Sequence, residues 1–322
     1  MKQILLTGVS GFVGSTLAKI AYGKNFVVRG AVRSITESIP DYIEQISIGT
    51  IMPNTNWMEG LDNIEVVIHL AARVHVMNDT VSNPLEEFRR INTEATLNLA
   101  RQAAESGVKR FIYLSSIKVN GEETETEQPF TEDNDYVPVA PYALSKYEAE
   151  LGLLELAKKT QMDVVIIRPP LVYGPGVKAN FQSMMKWLYK GVLLPFGSIH
   201  NERSLVALDN LVDLILTCID HPAAANQVFL VSDGDDLSTT ELLNRVAIAL
   251  GKKPMLLPVN QQLLEFGLKL VGKKDLAQRL CGSLQVDISK AQKLLNWTPL
   301  VSVDEGLRKT AEAFLKAVEG QS

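Results

Sequence analysis

The sequence predicts an α/β protein built on a Rossmann, doubly wound parallel sheet, followed by a smaller, mainly helical C-terminal lobe. Two observations lead to this prediction. Up to about residue 170, short apolar runs alternate with helical periodicity, which is the pattern of an open parallel sheet covered by helices on both faces. Beyond residue 238 the apolar pattern is helical, and three prolines interrupt it.

The composition is that of an ordinary globular protein and argues against several functional classes. Hydrophobic residues make up 46% of the 322 positions, and the net charge of −5 provides no overall basic field for nucleic acid. Cys218 and Cys281 lie far apart and lack the spacing of metal ligands, so we expect no metal site and a reducing, cytoplasmic location. No apolar run approaches the length of a transmembrane helix, so we do not expect membrane association.

The first predicted strand, at 4–7, runs directly into a glycine-rich turn and a helix. Three glycines follow the strand at intervals of three residues. Glycine lets the backbone turn tightly and approach a pyrophosphate, while the N-terminus of the helix faces the anion. We therefore predict a dinucleotide site made by the residues of this turn, which are Gly8, Ser10, Gly11, Phe12, Val13 and Gly14.

The end of the second predicted strand, at 26–32, bears on the choice of dinucleotide. An acidic residue commonly stands there and binds the adenosine 2′-hydroxyl of NAD. This chain instead has Arg33, which suits a 2′-phosphate. We therefore favour NADP(H) over NAD(H) as the cofactor and keep NAD(H) as the alternative, with an ordinary surface role for Arg33 as the competing interpretation.

A continuous apolar run at 66–72 predicts a buried parallel strand. The run ends in small residues, where a backbone can approach a cofactor closely. We assign Leu70, Ala71 and Ala72 to the cofactor site on this basis. His69, inside the run, is interpreted as a core histidine whose hydrogen bonds are satisfied.

Further strands and helices follow. In chain order they are helix 92–104, strand 111–114, helix 142–160, strand 163–168, helix 181–191, strand 202–206, helix 209–219 and strand 227–231. Ser115 and Ser116 follow one of these strands, and Arg168 and Pro169 stand at the end of another. Since ligands bind beyond the carboxyl ends of parallel strands, we expect both pairs to lie near the cofactor.

Helix 142–160 opens with Tyr142 and Lys146, which lie four residues apart and therefore on one helix face. A neighbouring ammonium stabilises phenolate, so we expect the pKa of the Tyr142 phenol to fall below its usual value of roughly 10. Tyr142 is therefore a candidate general acid or base. The composition makes one such pair unsurprising by chance, so the pair has to be weighed with the rest of the chain.

Taken in order, these motifs resemble those of the extended short-chain dehydrogenase/reductases, NAD(P)-dependent enzymes that modify nucleotide sugars. The motifs are Thr7 to Gly14, Leu114-Ser115-Ser116, Tyr142-x-x-x-Lys146 and Arg168-Pro169. The resemblance implies that Tyr142 moves a proton of the sugar hydroxyl and that Lys146 holds the nicotinamide ribose. It also implies that Ser116 hydrogen-bonds the reacting oxygen.

The same resemblance suggests further residues. Ser116 rather than Ser115 matches the family position, counting back from Val119-x-Gly121, where Asn120 replaces the family's tyrosine. Substrate-binding candidates are Ser116, Lys118, Asn180 and Arg203. Arg203 matches an arginine that relatives direct at the ligand diphosphate, a bidentate task suited to guanidinium, with a structural salt bridge as the alternative.

Two departures from the family pattern bear on function. Sugar-nucleotide 4,6-dehydratases have an acidic pair where this chain has Ile117 and Lys118, so dehydration lacks its acid/base group. The segment 49–51 also lacks the aspartate that contacts adenine in many relatives. With Arg33, this second departure again favours NADP(H).

The resemblance is strongest to UDP-N-acetylquinovosamine-type 4-keto reductases and UDP-hexose 4-epimerases. We therefore expect a reductase of a UDP-4-keto-6-deoxy-N-acetylhexosamine, acting at C4 for surface polysaccharide synthesis. The alternative is a UDP-glucose or UDP-N-acetylglucosamine 4-epimerase, and the remote alternative is a non-catalytic NAD(P)-sensing protein. Family analogy implies a homodimer that binds a UDP-sugar.

The domain division follows from the change in pattern after Pro170. We assign 1–169 plus 206–232 to a dinucleotide-binding domain and 170–205 plus 233–322 to a substrate-binding lobe. Within that lobe, 256–284 is rich in leucine with scattered lysines. We expect a helix packed on the core there, with a peripheral membrane helix as the alternative.

Overall fold

The computed structural model describes residues 1–74, 83–125, 127–133 and 136–320. Its strands are β1 (Gln3–Thr7), β2 (Val27–Val32), β3 (Glu44–Ser47), β4 (Val66–His69), β5 (Arg110–Leu114), β6 (Asp163–Arg168), β7 (Leu171–Tyr173), β8 (Leu205–Ala207) and β9 (Gln227–Leu230). Its α-helices are α1 (Phe12–Gly23), α2 (Pro84–Phe88), α3 (Ala95–Glu105), α4 (Pro141–Lys159), α5 (Ala179–Tyr189), α6 (Leu208–Asp220), α7 (Thr239–Ala249), α8 (Gln261–Leu270), α9 (Lys274–Cys281), α10 (Ser289–Leu295) and α11 (Val303–Glu319).

Seven of these strands form one sheet in the order β3-β2-β1-β4-β5-β6-β9, and every pairing in it is parallel. Alternate side chains of β1 point to opposite faces, as the two-residue period of a strand requires. Ile4 and Leu6 pack with α1 and α6, whereas Leu5 packs with α3 and α4. The sheet is therefore covered on both faces, which confirms the predicted Rossmann fold.

A second, two-stranded parallel sheet joins β7 to β8 and lies in a separate apolar cluster with α5, α7 and α11. The buried Asp233 carboxylate holds this region together. It accepts hydrogen bonds from the Tyr173 hydroxyl at 2.7 Å, the Ala207 N–H at 2.7 Å and the Asn210 amide at 2.6 Å. Burial raises the pKa of Asp233. The division of the chain into two domains stays a prediction.

The predicted elements differ from the observed ones in several places. The strands β3 and β7 and the helix α2 have no counterpart in the prediction. A π-helical turn at Arg89–Glu94 connects α2 to α3, where the sequence suggested a regular helix from 92. The expectation that 256–284 packs on the core is wrong for α8, because no residue of α8 is buried.

The described ranges lack both a membrane-spanning helix and a metal-binding cluster. No helix there is long and apolar enough to cross a bilayer. The same ranges contain no cluster of metal-ligating side chains. Both cysteines are buried and unbridged, and burial raises the thiol pKa to about 12 at Cys218 and about 11 at Cys281.

Candidate active site

The turn between β1 and α1 has the geometry that a dinucleotide needs. Gly8 adopts a φ of 72°, in the left-handed region that glycine tolerates, and its carbonyl accepts the Gly11 N–H at 2.9 Å. A Cβ on Gly14 would lie 2.1 Å from that same carbonyl oxygen. Gly11 caps α1 without a side-chain hydrogen bond, so the N–H groups of the first helical turn face outward. The remaining predicted residues of this turn, Ser10, Phe12 and Val13, surround the same helix start.

Thr7, at the end of β1, links the turn to the neighbouring strand, a role that its place in the sequence motif does not predict. Its hydroxyl oxygen accepts the N–H groups of Leu70 and Ala71, both at 3.2 Å, and lies 2.8 Å from His69 Nδ1. His69 Nε2 lies 3.0 Å from the Thr96 hydroxyl. Burial, and secondarily the charge of Lys146, lowers the pKa of His69 to about 3. The interpretation of His69 as a satisfied core histidine is confirmed.

The structure brings Ser116 and Tyr142 together. Ser116 follows β5 and begins a 3₁₀ turn at Ile117–Val119, while Tyr142 is the second residue of α4. Burial raises the pKa of the Tyr142 phenol, and a hydrogen bond with Ser116 partly opposes that shift. The expectation of a lowered phenol pKa is therefore wrong in this structure, because desolvation of the phenolate outweighs the interactions that favour it.

Lys146 lies one helical turn after Tyr142 and is only 2% exposed. Its ammonium donates a hydrogen bond to the Leu114 carbonyl at 2.9 Å and lies 4.5 Å from the centre of the Tyr113 ring. Burial lowers the pKa of Lys146 to about 7, and the charge of Glu150 acts in the opposite direction. The Tyr113 ring in turn stacks on His69 at 5.9 Å. The sequence does not predict a role for Tyr113, because nothing in an apolar strand indicates that its tyrosine contacts Lys146.

Hydrogen bonds of Ser145 and Asn92, which the sequence did not reveal, hold the start of α4 in place. The Ser145 hydroxyl donates to the Tyr142 carbonyl at 2.8 Å and accepts from the Asn92 amide at 3.1 Å. The Asn92 amide group also exchanges hydrogen bonds with the backbone of Arg73, at 2.8 and 3.0 Å. These bonds connect α4 to the segment after β4, where Ala71 and Ala72 lie.

Arg168 is buried and engages the protein rather than open space. Its guanidinium forms two-pronged hydrogen bonds with the Glu150 carboxylate and donates to the Asn120 amide oxygen at 3.0 Å. Asn120, which replaces the tyrosine of the family pattern, therefore has a structural role as a partner of Arg168. The guanidinium connects β6 to α4, and the Pro169 carbonyl accepts the Ile117 N–H at 3.0 Å. The assignment of Arg168 and Pro169 to the cofactor stays a prediction.

The remaining predicted residues lie at the ends of other elements. Arg33 is exposed just beyond β2. Lys118 is exposed and lies 3.8 Å from the Glu122 carboxylate. Asn180 is exposed near the N-terminus of α5 and follows Ala179, whose φ of 54° is rare for a residue with a side chain.

Arg203 is half-buried, and burial lowers its pKa. Its guanidinium donates to the Gly282 carbonyl at 2.8 Å, at the end of α9. Within the described part of the chain it makes no ion pair with a carboxylate, so the alternative of a structural salt bridge is not observed. A half-buried guanidinium with remaining donors suits an anionic ligand.

Comparison with known proteins shows to which family the chain belongs. The model of the NAD dependent epimerase/dehydratase family matches residues 4–232. A UDP-glucose 4-epimerase of Vibrio cholerae is 52% identical over 318 residues, covering 98% of this chain and 96% of that protein.

Solved structures agree in fold. The UDP-glucose 4-epimerase of Thermotoga maritima, solved with UDP-glucose, has a TM-score of 0.77 at 24% identity. The UDP-glucuronic acid 4-epimerase of Bacillus cereus, in complex with NAD, has a TM-score of 0.77 at 22% identity. Each comparison covers 98% of this chain and 99% of the other chain. The chain therefore belongs to the NAD dependent epimerase/dehydratase family, within the extended short-chain dehydrogenase/reductases, and is an enzyme of that family.

Proposed function

We propose that the protein is a 4-epimerase of a UDP-hexose, either UDP-glucose or UDP-N-acetylglucosamine. The observation that carries this proposal is the 52% identity, over nearly the whole of both chains, to a UDP-glucose 4-epimerase. It favours the epimerase that sequence analysis held as the alternative over the 4-keto reductase. The contact of Ser116 with Tyr142 and the burial of Lys146 one turn away support acid–base chemistry on a hydroxyl.

The first turn of the fold suits a dinucleotide. Gly8 and Gly14 leave a backbone cradle that a side chain would fill, and the start of α1 offers N–H groups to a pyrophosphate. A nicotinamide bound at this turn would supply reversible hydride transfer at sugar C4. We propose NAD as the cofactor, with Leu70, Ala71 and Pro169 lining its site.

In this proposal Tyr142 is the acid and base of the reaction. Its phenolate accepts the proton of the sugar 4-hydroxyl, and its phenol returns a proton once the configuration has changed. Ser116 hydrogen-bonds Tyr142 and also hydrogen-bonds the reacting oxygen of the sugar. Lys146 holds the nicotinamide ribose. Burial disfavours the Tyr142 phenolate, and the hydrogen bond with Ser116 favours it.

The UDP portion of the substrate would be held by the second half of the chain. We assign the diphosphate to Arg203 and the nucleotide to Asn180, with Lys118 beside the sugar. A homodimer, by family analogy, completes this proposal.

A second candidate function is supported by one observation, the position of Arg33. An exposed arginine beyond β2 suits the 2′-phosphate of NADP, and a net reduction uses an exchangeable pool of reduced cofactor. This observation favours the C4 reductase of a UDP-4-keto-6-deoxy-N-acetylhexosamine. It concerns one exposed side chain, whereas the identity to the epimerase spans the chain.

One experiment separates the two candidates. Purified enzyme is incubated with NAD and UDP-glucose or UDP-N-acetylglucosamine, and the C4 epimers are measured by NMR. We expect interconversion without net accumulation of reduced cofactor. A parallel incubation supplies NADPH with the 4-keto sugar. If NADPH is consumed in this second incubation and no epimer forms in the first, the proposed function is the reductase and not the epimerase.

The role of Tyr142 is tested with a pair of variants. We expect Tyr142→Phe to reduce kcat by at least ~100-fold, because it removes the proton carrier while keeping the ring. Tyr147→Phe, on the same helix, should retain wild-type kcat. Turnover of Tyr142→Phe close to that of the wild type would contradict the acid–base assignment.

A further inference from the structure

Helix α8 presents a row of large apolar side chains to the outside of the molecule. Leu263, Phe266 and Leu270 are 65%, 61% and 71% exposed. They follow one another at intervals of three and four residues, so they lie on one face of the helix. Val271, directly after the helix, is also exposed, at 66%. Single exposed apolar residues are common, but a continuous row on one helix face is not.

The opposite face anchors α8 to the protein, so the orientation of the row is fixed. Gln261 accepts the His200 N–H at 3.1 Å and donates to the Cys281 carbonyl at 3.1 Å. Leu264 and Leu268 are half-buried on this side. Asn260 caps the helix by accepting the N–H groups of its first turn. The row therefore belongs to a formed helix and faces away from the protein.

The charge around α8 is opposite to that of the whole chain. Residues 261–279, from α8 through most of α9, contain four basic and two acidic side chains, whereas the chain carries a net charge of −5. Lys269 stands on the edge of the exposed face, 3.5 Å from Glu265. Lys273 and Lys274 follow the helix and are exposed. An apolar row bordered by lysines is the pattern of a helix that lies in the interface of an anionic membrane.

We propose that α8 docks parallel to an anionic lipid surface. Leu263, Phe266 and Leu270 enter the boundary between head groups and acyl chains, and the flanking lysines contact lipid phosphates. A second copy of the chain is a poorer occupant of this face. In a two-fold contact the same patch of both copies would face itself, and its excess of positive charge would oppose association.

The position of α8 connects this surface with the candidate substrate site. The chain continues from α8 through α9 to Gly282, whose carbonyl accepts the Arg203 guanidinium. The lipid-facing helix is thus separated by one short helix from the arginine assigned to the diphosphate. The docking itself depends on α8 and its lysines, and it holds whether or not the proposed epimerase activity does.

The test is flotation of the full chain with two kinds of vesicle, one of phosphatidylcholine alone and one containing phosphatidylglycerol. We expect the wild type to float with the anionic vesicles and to be released by high salt. A variant carrying Leu263→Gln, Phe266→Gln and Leu270→Gln should lose binding by about tenfold or more. The matched control is Ile248→Gln, which changes a 70% exposed side chain on α7 and should float as the wild type does.

A charge variant provides the second arm. Lys269→Glu, Lys273→Glu and Lys274→Glu together should abolish flotation with anionic vesicles while leaving the apolar row intact. Circular dichroism and turnover of the soluble UDP-sugar should match the wild type in both variants, which separates lost docking from lost folding. Wild-type protein that stays soluble with both vesicles would overturn the proposal. So would light scattering that shows a wild-type dimer and a monomeric apolar-row variant, because the row would then be an interface between copies.

Discussion

Lys146 carries its amine in a place where a positive charge is costly. The side chain is 2% exposed, and burial lowers its pKa from 10.5 to about 7. Between these two values the unfolded chain binds more protons than the folded one, so stability rises with pH across this window. At neutral pH the folded protein therefore forgoes roughly 4 kcal/mol of stability to keep this lysine in place.

We expect Lys146→Met to abolish turnover while increasing stability. The variant removes the penalty of burying an amine and loses one hydrogen bond and one cation–π contact, each worth about 1 kcal/mol. The net gain should be about 2 kcal/mol at pH 7 and should be gone before the pH reaches 10.5, because the burial penalty falls with pH while the lost contacts do not. Urea unfolding at the two pH values measures it.

The control for this prediction is Lys158→Met, which changes an exposed lysine on the same helix α4. Its free energy of unfolding should stay within about 0.5 kcal/mol of the wild type. A Lys146→Met protein that is less stable than the wild type at pH 7 would show that the amine contributes more through its contacts than it costs through burial.

At this scale the order of motifs predicted Ser116, Tyr142 and Lys146, and it could not predict their pKa values. Spacing places Tyr142 and Lys146 on one helix face, but the direction of the phenol shift depends on how much water other elements exclude. The same limit applies to Tyr113 and Arg168. Their partners come from distant elements, and nothing near them in sequence identifies those partners.

At the scale of elements, the β1–α1 turn depends on one close approach. Helix α1 starts so near the Gly8 carbonyl that only hydrogen fits at Gly14. The turn geometry and the outward N–H groups of α1 are therefore one structural unit. Any side chain at Gly14 must push the helix away from the strand.

We expect Gly14→Ala to destabilise the protein by about 1–3 kcal/mol and to weaken NAD binding by about tenfold or more. Gly23→Ala lies in the same helix, where a Cβ would have nothing within 4 Å, and should be neutral or slightly stabilising. Thermal unfolding and titration calorimetry with NAD measure the two effects. Equal behaviour of the two variants would contradict the close approach.

Strongly patterned elements could be predicted from the sequence, and weakly patterned ones could not. The parallel strands β4, β5 and β6 are continuous apolar runs, and the structure forms them close to the predicted positions. The edge strand β3 is four residues long and only partly buried, so its sequence carries neither a run nor an alternation. For α8, a leucine-rich pattern identifies a helix but does not reveal whether its apolar side meets the core.

At the scale of the whole molecule, a buried histidine sets the response to acid. His69 lies in the central sheet, and its pKa falls from 6.5 to about 3 on folding. The unfolded chain therefore binds the proton more readily between these values. By linkage, stability is present above pH 6.5 and is lost as the pH falls toward 3.

We expect His69 to account for roughly 4 kcal/mol of the acid destabilisation between neutral pH and pH 3. His69→Gln should be less stable than the wild type at pH 7, because it loses ring packing, yet should show a shallower fall in stability with acid. The matched control is His200→Gln, which makes the same replacement at an exposed position. Parallel slopes for His69→Gln and the wild type would refute this assignment.

The state of the two cysteines has a practical consequence for studying the molecule. Cys218 and Cys281 are 0% and 4% exposed, and both thiols stay protonated at neutral pH because burial raises their pKa. Neither should react rapidly with maleimide reagents in the native protein. A single engineered thiol, such as that of Leu263→Cys, would then take a fluorophore or spin label selectively. The native sequence is thus a ready background for spectroscopic reporters, without removal of its own cysteines.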